Sequence, residues 1–223
     1  VLYNLFRQGY TWDFNIVLLL VFALAVMIAM VLHELAHALV AYKMGDQTAR
    51  AAGRLTLNPA KHIDPLGLLS FCLAGFGWAK PVPVNPFNYR NFRRGNFLVS
   101  IAGILTNLVL AIFASLCLYL IWKYQGAHVE SNLGFFALYQ FFFYLTIMNI
   151  FLMIFNLLPI FPLDGFNMLV SLTKPTNRYM NFMRANSMAV LMVVMLILIF
   201  TQVFANIGFY IANGLLDFWG LIF

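Results

Sequence analysis

The chain alternates between long apolar runs free of Asp, Glu, Lys and Arg and shorter stretches that gather most of the charge. Four runs stand out: Phe14 to Leu32, Phe97 to Trp122, Leu133 to Leu158 and Ala185 to Leu216. A helix needs about 20 apolar residues to cross the hydrocarbon layer. Each run is therefore long enough for a span, and the last, at 32 residues, holds one span and part of another around Asn206-Ile207-Gly208. This predicts an all-α polytopic membrane protein of about five transmembrane helices, forming a single membrane-embedded domain over 1–223. The first run continues into further helical sequence with no small-residue cleavage pattern, so it is expected to stay in the protein rather than leave as a signal peptide.

Two stretches break the pattern. Pro65 to Ala79 is apolar but short, and with Gly67, Gly75 and Gly77 it suits a re-entrant segment better than a span. After it, Phe76 to Asn85 alternates around Pro81 and Pro83, and proline is confined to sheet edges. With Arg54-Leu55-Thr56-Leu57 it predicts a small membrane-associated β-sheet, whose edge would receive an unwound peptide by strand addition.

Composition sharpens this. Residues are 63% hydrophobic and only 9% charged, against roughly a quarter charged in soluble domains, which excludes an ordinary soluble fold. The net charge of +6 does not indicate a nucleic-acid partner, because eight of the thirteen Lys and Arg lie between Lys43 and Arg94 and three more are Lys174, Arg178 and Arg184. Cytoplasmic loops of membrane proteins carry this excess. The first span then ends inside near Lys43, the second exits to a short outer loop with Lys123, His128 and Glu130, and the third returns. Pro159 to Arg184 is inside, a fourth span starts near Asn186, and a fifth, Ile207 to Phe223, brings the C-terminal segment inside. Cys72 and Cys117 sit in apolar stretches at no metal-binding spacing and read as inert fillers.

Seven acidic residues remain, and two of them, Glu34 and Asp164, fall at membrane depth, where an ionisable group costs several kcal/mol unless paired or bound. Glu34 lies in His33-Glu34-Leu35-Ala36-His37. Residues four apart share a helix face, so two imidazoles can hold one zinc ion while the intervening Glu serves as general base. A catalytic zinc takes a third protein ligand. Asp164 follows Asn156-Leu157-Leu158-Pro159-Ile160-Phe161-Pro162-Leu163, where two prolines stop the third span. On spacing alone it is either that ligand or a helix N-cap.

HELAHALVAYKMGD followed by NLLPIFPLDG resembles the site-2 protease family of intramembrane zinc metalloproteases, over about Val31 to Ser171. The stretches Arg54 to Pro65 and Phe76 to Pro86 are similar to its compact bacterial branch without PDZ or CBS domains. The resemblance implies His33, His37 and Asp164 as ligands of one catalytic zinc and Glu34 as catalytic base. It also associates Asn156 with substrate or oxyanion binding. The family's proline is missing from Ala102-Gly103-Ile104-Leu105-Thr106-Asn107, which leaves Gly103 for close packing and Asn107 as a polar interhelical contact or a substrate contact. His62 reads either as an accessory ligand or acid, or as an interface histidine paired with Asp64.

The expected function is hydrolysis of transmembrane-helix substrates in the lipid bilayer of a bacterial inner membrane, with the site toward the cytoplasm. From His37 to Lys43 is six residues, about 9 Å of helix. A metal-binding transporter or channel is the competing reading, since buried His and Asp also line ion pathways. It has no need of Glu34 as a base. An inactive, chaperone-like relative is the third.

Overall fold

The structure is a computed structural model that describes residues 12–74, 77–129, 131–174 and 177–223. It contains helices α1 (Trp12–Met44), α2 (Thr48–Ala51), α3 (Pro59–His62), α4 (Pro65–Ala74), α5 (Phe92–Val129), α6 (Leu133–Leu157), α7 (Asp164–Leu172), α8 (Arg178–Ala185), α9 (Ser187–Thr201) and α10 (Val203–Ile222), with a 3-10 turn at Pro86–Asn88. The fold is that of an all-α integral membrane protein. By length and composition three described helices can cross a membrane: Phe14–Met44, Phe92–Gly126 and Leu133–Leu157. The pair α8 and α9, bent by 83° at Asn186, would make a fourth. The expected five are not reached by this measure, because charged and amide groups interrupt the C-terminal third.

Helices α1, α5 and α6 pack against one another, α7 docks on α5, and α10 lies across α5 and α6. Phe22, Val26, Met30, Ala111, Ile147, Met148, Ile150 and Ala212 form the core between them. Alanines bring the backbones close: Ala25 and Ala114 meet at Leu145, and Ala38 meets Ala49 and Val82. Without water to drive burial, close packing of small residues is what holds membrane helices together. The outer faces are as apolar as the core, with Ile16, Leu20, Val109 and Phe113 exposed, as a lipid environment allows.

Pro65–Ala74 is a ten-residue helix, about 15 Å long and too short to span. Asp64 caps it by accepting from the backbone N–H of Leu66 and Gly67. The chain has returned by Ala79, which forms an antiparallel bridge with Ile63, and Lys80 N–H donates to the His62 carbonyl at 2.8 Å. That one bridge is all the described residues contain of the expected small sheet; Gly75 and Phe76 lie outside them. Arg54 to Leu57 forms no strand. Pro81 and Pro83 have no N–H to give a ladder, and the Arg54 guanidinium takes up the Lys80 and Pro81 carbonyls instead.

Two further expectations change. α5 continues through Lys123 and His128, which are helical rather than in a loop; Glu130 lies outside the described residues. The break in the last apolar run falls at Gln202, whose φ of 53° is left-handed, so Asn206 and Gly208 lie inside α10. Ala212 packs in the cluster of Ala111, Trp219 Nε1 donates to Ser115 Oγ, and Lys123 Nζ donates to the Phe223 carbonyl. Thus α10 runs parallel to α5, and Phe223 lies at the same end of the bundle as Lys123. The expectation of a C-terminal segment on the side of the basic loops is corrected accordingly.

Candidate metal centre

His33, Glu34 and His37 occupy the C-terminal part of α1, where fully buried Ala29, Ala38 and Ala41 keep the helix narrow. Both rings lie against α5 at Gly103. A Cβ there would stand 2.5 Å from His33 Cε1 and from His37 Nε2, so glycine is what admits them. Asp164 arrives from the turn after α6. Gly165 makes that turn possible, since a Cβ on it would meet the Leu157 carbonyl oxygen at 2.3 Å. Asn96 of α5 then fastens α7 by donating to the Asn167 carbonyl at 2.7 Å and to Ser171 Oγ at 2.9 Å.

The structure brings together His33, His37 and Asp164 as a group of metal-ligating type. The two Nε2 atoms are 3.0 Å apart, and Asp164 Oδ2 is 3.3 Å from His33 Nε2 and 3.2 Å from His37 Nε2. His37 Nδ1 donates to the Val99 carbonyl at 2.7 Å, and His33 Nδ1 pairs with Asn107 Oδ1 at 2.5 Å. With Nδ1 carrying the proton in each neutral ring, both Nε2 atoms present lone pairs. Asp164 Oδ2 is itself a buried oxygen without a hydrogen-bond donor. In that state three electron-pair donors face one another, an arrangement that a cation stabilises. In a tetrahedral zinc site with bonds of about 2.0–2.1 Å, ligand atoms lie about 3.3 Å apart, so these residues fit that metal.

The N-cap alternative for Asp164 is not what forms: it is the first residue of α7, and Leu163 occupies the cap without a side-chain bond. Glu34 lies beside the group, and its Oε2 accepts the Val82 backbone N–H at 2.8 Å. Asn107 has its amide engaged by His33 and Asn149. Asn156 donates to the Leu152 carbonyl at 3.0 Å, one turn back on α6. His62 is not part of the three-residue group, and it is not paired with Asp64. It is fully buried, with Nε2 on the Thr56 carbonyl at 2.7 Å, while Asp64 caps α4. Sequence reasoning did not find Asn96, Val99, Asn149 or Ser171; a carbonyl carries no residue signature, and a lone Asn on an apolar helix suggests only some interhelical bond.

A helical membrane fold that sets a His-Glu-x-x-His face against a half-buried aspartate presents the donor set of a metal-dependent hydrolase. Residues 125–200, which include the Asn156 to Gly165 turn, match the family model described as "Peptidase family M50". Two similar proteins bear names marking them as candidate zinc metalloproteases. YwhC of Bacillus subtilis (strain 168) is 45% identical over 152 residues, which cover 68% of each chain. Rip2 of Mycolicibacterium smegmatis is 32% identical over 148 residues, covering 64% of this chain and 53% of that protein, so the chain spans about half the length of that relative. No solved structure matches. The chain belongs to peptidase family M50 and is a membrane zinc metalloprotease.

Proposed function

We propose that this protein is an intramembrane protease: it hydrolyses peptide bonds within or near transmembrane helices of other membrane proteins, in regulated intramembrane proteolysis. One zinc ion is held by His33, His37 and Asp164, and Glu34 is the general base. The observation that carries this reading is the set of three lone-pair donors 3.0–3.3 Å apart, one residue from a carboxylate that is not among them. A zinc ion there supplies a Lewis acid that polarises the scissile carbonyl and acidifies water.

The chain's own residues do the rest. Val82 N–H holds one oxygen of Glu34, which orients the carboxylate and leaves Oε1 to take the proton of the attacking water and hand it to the leaving amine. Asn156 has a second amide N–H beyond the one on Leu152, and that donor faces the developing oxyanion in this proposal. His62 has the weaker claim, since its ring supports the loop over the site.

Substrate class follows from depth. His33 and His37 lie on a membrane-length helix, about 15 Å and about 9 Å before its basic end at Lys43. An apolar groove of about 240 Å³, lined by Leu24, Met27, Ile28, Val31, Leu32, Leu57 and Pro59, runs along the turns of α1 just before His33. Its apolar lining matches an apolar segment rather than a charged peptide. The basic loops on the site's side orient it toward the cytoplasm of a bacterial inner membrane.

The test is Glu34→Gln. Purified protein should keep its zinc while cleavage of a model transmembrane peptide falls by about 10²–10⁴. Undiminished cleavage sinks the assignment. Zinc flux into proteoliposomes that survives the substitution favours transport instead.

A further inference from the structure

Behind His33 runs a chain of buried polar groups that the proposed mechanism does not use. Asn107 of α5 and Asn149 of α6 are both 0% exposed. Asn149 Nδ2 donates to the Leu145 carbonyl at 2.7 Å, Asn107 Nδ2 donates to Asn149 Oδ1 at 2.8 Å, and His33 Nδ1 meets Asn107 Oδ1 at 2.5 Å. The direction of this chain is forced. A carbonyl only accepts, so the Asn149 atom facing Leu145 is its NH₂ and the other is its oxygen. That oxygen requires the NH₂ of Asn107, whose own oxygen then requires a proton on His33 Nδ1. Amide orientation is often ambiguous; here a backbone carbonyl at the end of the chain fixes it.

His37 reaches the same state in one step, through the Val99 carbonyl. Val99, Gly103 and Asn107 recur every four residues and so form one stripe of α5, which supplies an acceptor for each ring and the gap between them. At the His33 level the acceptor is a side-chain amide, which could turn over and present its NH₂ instead. A turned Asn107 would drive the proton of His33 onto Nε2 and block the atom that faces Asp164.

We propose that Asn149 is a positioning residue for the metal centre: acting through Asn107, it holds His33 in the tautomer whose Nε2 is free for the ion. The proposal rests on the zinc reading given above. Partners of this kind are worth about 10–100-fold in metal affinity when removed.

The experiment measures zinc affinity by chelator competition, with the cobalt-substituted absorption spectrum beside it, for wild type, Asn149→Leu, Asn149→Asp and His33→Ala. Asn149→Leu removes both halves of the relay and should weaken zinc by about 10–100-fold and perturb the cobalt spectrum. Asn149→Asp should stay within about threefold of wild type, because a neutral acid donates to Leu145 and accepts from Asn107 in the same sense. Wild-type affinity in Asn149→Leu, with only its unfolding temperature lowered, overturns the proposal. Undiminished zinc binding in His33→Ala overturns the underlying site assignment instead. Should Asn149→Leu not fold, ¹⁵N-histidine spectra of zinc-loaded wild type decide: a proton on Nδ1 of His33 with metal at Nε2 supports the relay, and metal at Nδ1 removes it.

Discussion

Gly103 is the residue that admits both histidine rings of the centre. Methyl groups at 2.5 Å from two ring atoms cannot be tolerated, and the rings cannot retreat because Val99 and Asn107 hold their far sides. Gly103→Ala should therefore yield folded protein with less than stoichiometric zinc, measured by elemental analysis, and overpacking should cost about 1–3 kcal/mol of stability. Full zinc occupancy in that variant would contradict this account. The His33, Glu34 and His37 cluster was legible because an i, i+4 spacing fixes a shared face whatever surrounds it. Asp164 was legible as an unusual charge, and the expectation of a ligand rather than a cap rested on resemblance. Of the supports of His33, Asn107 was legible as a polar interhelical contact, while Asn149 was not, because it lies 116 residues away in sequence and meets His33 only through a third helix.

Among the elements, the segment between α1 and α5 is where the expected sheet gives way to a network built on side chains. Asp46, 0% exposed, accepts from Thr48 N–H and Oγ–H, from Asn85 N–H at 2.7 Å and from Asn88 Nδ2 at 2.8 Å, joining the end of α1 to the loop before α5. Burial works to raise its carboxyl, but these donors outweigh it and hold the group below the ordinary carboxylate range. Across the same loop, burial and then the charge of Asp46 push the Tyr89 hydroxyl up to about 12. A depressed folded value means the carboxylate stabilises the fold above its unfolded pKa of about 3.9 and loses that contribution as pH falls through the folded value. The difference in unfolding temperature between wild type and Asp46→Asn should thus be constant from about pH 7 to 5 and shrink below about 4. A constant difference down to pH 2 would refute the assignment. Alternation around Pro81 and Pro83 suggested a strand, but the two prolines give no N–H, and the groups that remain pair singly: Val82 N–H with Glu34, and the Lys80 and Pro81 carbonyls with the Arg54 guanidinium.

For the whole molecule, the two basic loops and the turn that carries Asp164 share one end of the bundle, and the α5–α6 connection shares the other with Phe223. In a background lacking Cys72 and Cys117, Gln125→Cys and Phe223→Cys should react with a membrane-impermeant thiol reagent from the same side, and Arg90→Cys from the opposite side. Labelling of 125 and 223 from different sides would overturn the parallel packing of α10 on α5. Hydropathy foresaw the three strongest spans to within a few residues at their apolar cores, since solvation by lipid acts on every residue of a run. It misjudged the C-terminal third, where the break at Gln202 is a backbone conformation and the direction of α10 is set by Trp219, Ser115 and Lys123.

What the sequence by itself determined is local or additive: helix content from charge-free runs, a shared face from a four-residue spacing, and scarcity of charge that made Glu34 and Asp164 conspicuous. Tertiary structure alone decided which lone pairs converge, which tautomer each histidine holds, and on which side the last helix ends. These depend on contacts between groups far apart in the chain, and in a membrane such contacts arise from close packing and hydrogen bonding between helices, which a pattern of apolar residues does not encode.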